Sequence, residues 1–337
     1  MAAGAFATAG AAAAQRAHEP GVPPGPEWVD LALGVVGGLA LFLYGVTRLS
    51  GALQEAAGDS VRSLLARFTT NRVAAVGTGA VATAALDSSS VTIVMVIALV
   101  HAGLLTFAQS LGVVMGSNIG TTVSSLLFAT DFDRYAPLLL ALGLGLHVVP
   151  KSPRVRTVGL VVLGVGLVFF GLSVIGDAVE PLRDHPPFVD FMAGVGRNTL
   201  LGVAIGALAT VVLQSSSATV GIVIVLASQG VVSLPAGIAV MLGAEVGTCV
   251  DTLLASVGRS REAVRTGLFH LGFNLGTAAV GIVFAAQLAA LGQAFGGGDV
   301  ERQIAVAQVL FNVAGVALVL PFTGHIARAL ERLVPAR

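Results

Sequence analysis

The sequence is poor in charge and in cysteine. Only 11% of its 337 residues are charged and 55% are hydrophobic, with a mean hydropathy of +0.91, whereas roughly 25% of the residues are charged in a soluble domain. This composition excludes an ordinary soluble fold and predicts an all-α polytopic protein of the lipid bilayer. The single cysteine, Cys249, excludes an intrachain disulfide framework and a cysteine-based zinc site. We expect no cofactor and no nucleic-acid partner.

The N-terminal residues lack the signature of a signal peptide. Residues 1–28 are rich in Ala, Pro and Gly, which predicts a flexible leader. Residues 1–14 carry no basic n-region, which disfavours a cleaved signal peptide. Apolar segments of spanning or near-spanning length follow. The seven predicted crossings are 29–49, 107–129, 135–150, 157–176, 235–257, 264–292 and 303–324.

Two further apolar stretches, 73–104 and 199–232, are each interrupted near the middle by a cluster of serines. Each arm has about fourteen residues, fewer than the roughly twenty that a spanning helix needs. Each stretch therefore predicts a re-entrant helical hairpin rather than two crossings.

The serine clusters belong to an internal duplication. Asp87-Ser88-Ser89-Ser90 and Gln214-Ser215-Ser216-Ser217 lie 127 residues apart. The same offset holds without a gap over about fifty residues, which predicts two related halves rather than a short solenoid repeat. It relates Asn71 to Asn198, Gly79 to Gly206, Thr83 to Thr210, Thr92 to Thr219, Gly103 to Gly230, Gly116 to Gly243, Gly120 to Gly247 and Thr121 to Thr248. We expect a first transport-type repeat at 29–150, a second at 157–292, a final transmembrane helix at 303–324 and a cytoplasmic tail at 325–337.

The basic residues predict the orientation. Threading the seven crossings, with hairpins that return to their own side, places four Lys and Arg clusters on one face, which the positive-inside rule makes cytoplasmic. The N-terminus then lies outside and the C-terminus inside the plasma (inner) membrane. The clusters are Arg62, Arg67 and Arg72; Lys151, Arg154 and Arg156; Arg259, Arg261 and Arg265; and Arg328, Arg332 and Arg337. The acidic residues fall on the opposite face: Asp131, Asp133, the stretch 177–190, Asp299 and Glu301.

The number of crossings also predicts the relation between the halves. Three crossings, an odd number, separate the starts of the two repeats, so the repeats must have inverted topology. Their hairpins would enter from opposite sides and bring the serine tips together near the midplane. This layout is typical of secondary transporters.

The hairpin tips carry chemistry suited to ions. A helix break in hydrocarbon leaves polar main-chain groups that must find partners. The arm that begins after each tip presents free amides, serine hydroxyls and the positive end of its dipole, which favour an oxyanion. The arm that ends there presents carbonyl oxygens for a small cation. The candidate substrate ligands are Ser88, Ser89, Ser90, Gln214, Ser215, Ser216 and Ser217.

A second duplicated motif lies in the helix after each hairpin. The stretches 116–122 and 243–249 each place two glycines four residues apart beside an oxygen-bearing side chain and a threonine. The spacing is compatible with close helix packing, but the polar side chains favour a second helix break that lines the ligand site. Asp87 at the first tip is a further candidate for ion binding. The complete set of candidate ion-binding or coupling residues is Asp87, Asn118, Thr121, Thr122, Glu245 and Thr248.

Together these motifs resemble the type II sodium/phosphate cotransporter family, which includes the animal transporters and their bacterial homologues. That family carries Gln-Ser-Ser-Ser in each of two inverted repeats, followed by Gly-x-Asn-Ile-Gly-Thr-Thr. Residues 214–217 match the first motif and 116–122 the second. The resemblance extends over about residues 31–324 through 38–45, 166–172 and 270–274, and fits a member without the appended cytoplasmic regulatory domain. It implies symport of inorganic phosphate with sodium, and leaves a homo-oligomer open.

Two acidic residues depart from the family pattern. Asp87 stands where the family has Gln, and Glu245 where it has Asn. A buried carboxylate must pair, protonate or bind a cation. Two interpretations stay open: a different coupling ion or stoichiometry, including protons, or a different and less charged substrate.

The remaining polar residues and other protein classes are weaker candidates. His270 and Asn274, and Gln308 and Asn312 at the same spacing, predict interhelical hydrogen bonds. We expect no enzyme, because no Gly-x-Ser-x-Gly elbow surrounds either serine cluster. An anion channel also uses broken helices, but a single chain with two inverted hairpins favours a carrier. A membrane scaffold would leave the buried polar groups without purpose.

Overall fold

A computed structural model describes residues 27–69 and 71–335, so almost all of the predicted leader lies outside the described residues. The described chain consists of helices and connections, without a strand, which confirms the all-α prediction. The α-helices are α1 (Trp28–Arg67), α2 (Arg72–Leu86), α3 (Ser89–His101), α4 (Phe107–Phe128), α5 (Ala136–Val148), α6 (Pro153–Val179), α7 (Pro186–Arg197), α8 (Thr199–Leu213), α9 (Ser216–Ser228), α10 (Leu234–Gly247), α11 (Cys249–Ser256), α12 (Arg261–Val283), α13 (Ala285–Gly296), α14 (Val300–Val319) and α15 (Thr323–Leu333).

Six helical segments are long and apolar enough to cross a membrane, and a bent pair could supply a seventh. The six are 28–67, 107–128, 153–184, 234–256, 261–283 and 300–333. The bent pair is α7 with α8, and the chain bends by 103° between the two helices. The protein is therefore a polytopic membrane protein. The predicted crossing at 135–150 corresponds to the 13-residue α5 after a 3-10 turn at Asp131–Tyr135.

The two serine-interrupted stretches form pairs of short helices. The first pair is α2 with α3 and the second is α8 with α9, and in both the arms contain 15 and 13 residues. Asn71 caps α2 by accepting a bond from Ala74 N, and Asn198 caps α8 by accepting one from Leu201 N. The same capping residue at the same offset gives both arms the same starting point.

Two hydrophobic clusters contain most of the buried hydrophobic side chains. The first joins α2, α3 and α4 to α12 through buried side chains such as Ile93, Met115 and Phe269. The second joins α9 and α10 to α14 through Ile224, Met241 and Ile304. Helices α1 and α6 pack lengthwise against each other. At their crossing a Cβ on Gly171 would lie 2.4 Å from Phe42 N, so this approach requires glycine.

Three segments differ from the sequence prediction. The predicted break at 116–122 is wrong, because α4 is continuous, whereas α10 and α11 do separate at Thr248. The predicted crossing 264–292 corresponds to α12 and α13, which are separated at Phe284. Much of the predicted tail is the helix α15.

Charged residues from segments far apart in sequence lie close to one another or to distant parts of the chain. Acidic residues from distant segments line one cavity of about 110 Å³, among them Asp131, Asp133, Asp177 and Glu301. Away from this cavity, the Arg265 guanidinium donates to Val334 O at 2.9 and 2.7 Å. The Arg72 guanidinium packs near Gly324, at the start of α15.

Candidate functional site

Each hairpin tip contains one residue in the left-handed conformation. Asp87 has φ 51° and ψ 31°, and Gln214 has φ 53° and ψ 29°. Apart from glycines, they are the only positive-φ residues in the described chain. A left-handed backbone at a residue with a side chain is uncommon and often marks a functional position. Its presence at both tips shows that the duplicated motif keeps its local geometry.

The serine after each tip caps the second arm. Ser88 Oγ accepts a bond from Val91 N at 3.2 Å, and Ser215 Oγ accepts one from Ala218 N at 3.1 Å. These two predicted substrate ligands therefore act as N-caps. The capping roles follow from the residue type and its place immediately before a helix.

The next two serines in each half begin the second arm. Ser89 and Ser216 are each 5% exposed, while Ser90 and Ser217 are half-buried. The first amides of a helix have no carbonyl partner within that helix, and they carry the positive end of its dipole. Each tip thus offers main-chain N–H groups and hydroxyls to an anion.

The halves contact each other through these arms. Ser90 Oγ lies 3.4 Å from Thr248 Oγ1, at the separation between α10 and α11. Helix α3 packs against α11, and α9 packs against α4. Each second arm therefore meets the helix that follows the other hairpin. The structure brings the predicted ligands Ser90 and Thr248 together.

Asp87 faces away from the serines of its own tip. Its carboxylate accepts a short hydrogen bond from Ser124 Oγ on α4. Both residues line a cavity of about 220 Å³ whose other walls are mainly apolar side chains of α1, α4 and α6. The equivalent residue Gln214 is exposed. The two tips therefore have the same backbone conformation, but their side chains differ in charge and in surroundings.

Asn118 lies deep in the helix packing rather than at the tips. It is 1% exposed, and its Nδ2 donates to Asn274 Oδ1 at 2.7 Å. The Thr121 and Thr122 hydroxyls donate to main-chain oxygens within α4, at Ser117 and Ile119. These bonds satisfy the two hydroxyls inside the continuous helix.

Glu245, the counterpart of Asn118, is 2% exposed. Its Oε1 accepts bonds from Gln308 Nε2 at 2.8 Å and from Asn312 Nδ2 at 3.1 Å. On α12, His270 Nδ1 lies 2.7 Å from Thr252 Oγ1. The predicted interhelical bonds of His270, Asn274, Gln308 and Asn312 are thus confirmed, and those of Asn274, Gln308 and Asn312 reach candidate site residues.

The glycines of the second motif serve close packing. A Cβ on Gly116 would lie 1.9 Å from Val76 O, and one on Gly243 would lie 2.0 Å from Val203 O. The main chains of α2 and α8 therefore lie directly against α4 and α10. In both halves these glycines accommodate a neighbouring helix, as small-residue spacing permits in membranes.

The predicted site residues include neither Ser124 nor Asp251. They are equivalent positions, 127 residues apart. Ser124 donates to Asp87, and the Asp251 carboxylate faces the Ser90 hydroxyl. Extending the duplication by three residues beyond Thr121 and Thr248 would have identified both.

Comparison with known proteins gives matches along most of the chain. The sequence pattern of the Na+/Pi-cotransporter family matches residues 41–177 and 185–332. The uncharacterized protein YqeW of Bacillus subtilis (strain 168) is 30% identical over 300 residues, which cover 89% of this chain and 97% of YqeW. No solved structure matches the chain.

Two sets of relatives have functional names. The putative inorganic phosphate export protein YjbB of Escherichia coli (strain K12) is 26% identical over 304 residues, or 90% of this chain and 55% of YjbB. The sodium-dependent phosphate transport protein 2A of Rattus norvegicus is 32% identical over 109 residues, or 30% of this chain and 17% of that protein. This chain thus spans nearly all of YqeW but about half of YjbB.

The family pattern covers both halves, including both hairpins, both glycine motifs and the helices that contact Asn118 and Glu245. The chain belongs to the Na+/Pi-cotransporter family.

Proposed function

We propose that this protein is a secondary active transporter that carries inorganic phosphate across the membrane in symport with sodium. The observation that carries the proposal is the pair of hairpin tips with matching backbone angles, each followed by a serine-capped helix. Both tips offer unpaired amides and hydroxyls suited to a tetrahedral oxyanion.

Phosphate would bind between the two second arms. The main-chain amides at the start of α3 and α9, with Ser89, Ser90, Ser216 and Ser217, would donate to its oxygens. Ser88 and Ser215 would hold the helix ends in place as caps, and Gln214 would contribute its exposed amide. The contact of Ser90 with Thr248, 3.4 Å between hydroxyl oxygens, supports a site shared by the two halves.

The coupling cation would bind at groups of the opposite polarity. The first arms, α2 and α8, end at the tips with carbonyl oxygens and the negative end of the dipole. Asp87 adds a carboxylate at one tip, and Thr121, Thr122 and Asn118 lie on the adjacent α4. Binding an anion beside a cation lowers the electrostatic cost of moving either through the bilayer.

The architecture we propose is a pair of inverted repeats that expose the site alternately to the two sides. The reciprocal packing of α3 on α11 and α9 on α4 supports such a relation. The positive-inside rule would place the arginine-rich segments and α15 in the cytoplasm, and the cavity lined by Asp131, Asp133 and Asp177 outside. The membrane would be the plasma (inner) membrane.

A second candidate is a proton- or cation-coupled carrier of a different, less charged solute. The burial of Glu245 and the position of Asp87 beside Ser124 favour it, because negative carboxylates near the site would repel phosphate. An anion channel is the third and weakest candidate. The names of the relatives also differ on direction, since YjbB is named for export.

Uptake into proteoliposomes tests these candidates. Radiolabelled phosphate is offered under an inward sodium gradient, an inward potassium gradient and an inward proton gradient, and preloaded vesicles measure efflux. The test variant is Ser217→Ala, and Ser63→Ala on an exposed part of α1 is the matched control.

Sodium-driven accumulation that Ser217→Ala reduces about tenfold or more in kcat/KM, as expected for loss of a charge-assisted hydrogen bond, would support the proposal. Accumulation under the proton gradient alone would show that protons, and not sodium, are the coupling ion. Downhill flux without accumulation would support a channel, and no phosphate flux under any gradient would exclude phosphate as substrate.

A further inference from the structure

We propose that Glu245, Gln308 and Asn312 form a buried site for one monovalent cation, either sodium or a proton, distinct from the hairpin tips. The inference deepens the proposed function by locating a coupling ion, and only the ion's role in transport rests on that function. The binding itself can be measured without phosphate and without flux.

The Glu245 carboxylate has no charged partner among the described residues. Glu245 is 2% exposed, and the two groups that donate to its carboxylate are neutral amides. The ion pairs among residues 27–69 and 71–335 join Arg265 to Glu262 and Arg302 to Asp299, so neither neutralises Glu245. A buried carboxylate with neutral partners is costly in a membrane. A small cation supplies the missing charge.

The side chain of Gln308 carries a further buried oxygen beside Glu245. Gln308 is fully buried, and its Oε1 has no hydrogen-bond partner in the described structure, although its Nε2 donates to Glu245. Buried side-chain oxygens of this kind normally have a partner. A sodium ion would bind the carboxylate and this oxygen together. A proton on Glu245 would donate to the same oxygen after the Gln308 amide rotates.

The first half has a neutral residue at the equivalent position. There Asn118 donates from Nδ2 to Asn274 Oδ1. The duplicated packing therefore does not require an acid at this position. Glu245 places a carboxylate where the other half has a neutral amide. The groups of α14 that donate to it are two amides and not an arginine or a lysine.

The other titratable groups near Glu245 are on α11 and α12. The Cys249 thiol contacts the main-chain oxygens of Glu245 and His270, both at 3.8 Å. The His270 imidazole is directed to Thr252, and its Nε2 has no partner in the described structure. Asp251 faces Ser90. Since any of these could respond to pH, the test must include variants of Glu245 itself.

The experiment measures thermal unfolding of the purified full-length protein in detergent, without phosphate. Melting temperatures are compared in sodium chloride and choline chloride at equal ionic strength, and over a pH series. The variants are Glu245→Gln, Glu245→Asn, which copies Asn118, and Gln308→Leu. Glu331→Gln, an exposed acid on α15, is the matched control.

The proposal predicts that sodium raises the melting temperature of the wild type by a few degrees, or that lowering the pH does so. Both Glu245 variants should lose most of this response, Glu331→Gln should keep it, and Gln308→Leu should require about tenfold more of the ion. A sodium response identifies sodium, and a pH response without one identifies the proton.

Two results would overturn the proposal: a wild type that responds to neither ion, or a response that is as large in Glu245→Gln as in the wild type. If the Glu245 variants do not fold, the wild-type titration and the Gln308→Leu variant test the cation site instead. If phosphate transport fails while the response depends on Glu245, the cation site stands and the substrate assignment falls. If transport succeeds without such a response, the site alone is wrong.

Discussion

Asn118 and Glu245 occupy the same position in the two halves, yet Asn118 donates to Asn274 on α12 while Glu245 accepts from Gln308 and Asn312 on α14. Each duplicated residue thus bonds to amide side chains of a different neighbouring helix, α12 in one half and α14 in the other. The glycine packing is the same at Gly116 and Gly243, so the side-chain chemistry differs here while the close approach of the neighbouring helix is kept.

The Asn118 and Asn274 pair should show measurable coupling. We expect a double-mutant cycle with Asn118→Leu and Asn274→Leu to give a coupling energy of about 1 kcal/mol, the size found for interhelical hydrogen bonds in membranes. Unfolding in mixed SDS micelles would measure it. A cycle of Asn118→Leu with Gln54→Leu, an exposed residue of α1, should give none. Equal values in the two cycles would contradict a specific bond.

Asp87→Gln should change ion dependence more than phosphate affinity. The variant gives the first tip the residue of the second, and it replaces the carboxylate that accepts from Ser124. Uptake measured against sodium concentration and against pH should shift, while KM for phosphate stays within about threefold, because the second tip already holds a glutamine in the same backbone conformation. Gln214→Asp is the reciprocal variant. Unchanged sodium and pH profiles in Asp87→Gln would remove Asp87 from ion coupling.

Gly116→Ala and Gly243→Ala should both destabilise the protein. The added Cβ would lie 1.9 Å from Val76 O in one case and 2.0 Å from Val203 O in the other, so the helices must move apart. We expect a cost of about 1–3 kcal/mol, as for other overpacked sites, seen as a lower melting temperature.

Gly272→Ala and Gly145→Ala are the controls for these variants, since a Cβ at either position meets no atom within 4 Å. A helical alanine in open space should be neutral or slightly stabilising. Similar melting temperatures for all four variants would show that the close approach is not needed.

The proposed orientation can be tested with single cysteines. The native Cys249 is 1% exposed and should label slowly. Asp133→Cys should react with a membrane-impermeant maleimide in intact cells, whereas Arg154→Cys should react only after permeabilisation. The opposite pattern would reverse the proposed orientation, and labelling of both sites in intact cells would contradict the predicted threading.

The duplication is the part of the fold that the sequence predicts best. An offset of 127 residues locates both hairpins because caps, tips and glycines are local features that repeat in the same order. The spacing of His270, Asn274, Gln308 and Asn312 also predicts interhelical bonds. Their partners were not predictable, because helices far apart in sequence become neighbours only after packing.

The wrong prediction concerned the helix that contains Gly116. Two glycines four residues apart are compatible with a break and with close packing, and the choice depends on the neighbouring helix. In the structure the main chain of α2 lies against Gly116, and the hydroxyls of Thr121 and Thr122 bond within their own helix. The sequence specifies the small residues but not what approaches them.

The two acids that depart from the family pattern lie at non-equivalent positions in the two halves. Asp87 is at the first tip, and Glu245 is within the helix that follows the second tip. If both halves kept the neutral amides, a substrate would meet an electrically equivalent path from either side of the membrane. In the proposed inverted-repeat transporter, one acid in each half at non-equivalent positions would give the path a polarity. A protein assembled from two like units would thereby distinguish entry from exit through charge, while its main chain stays nearly symmetric.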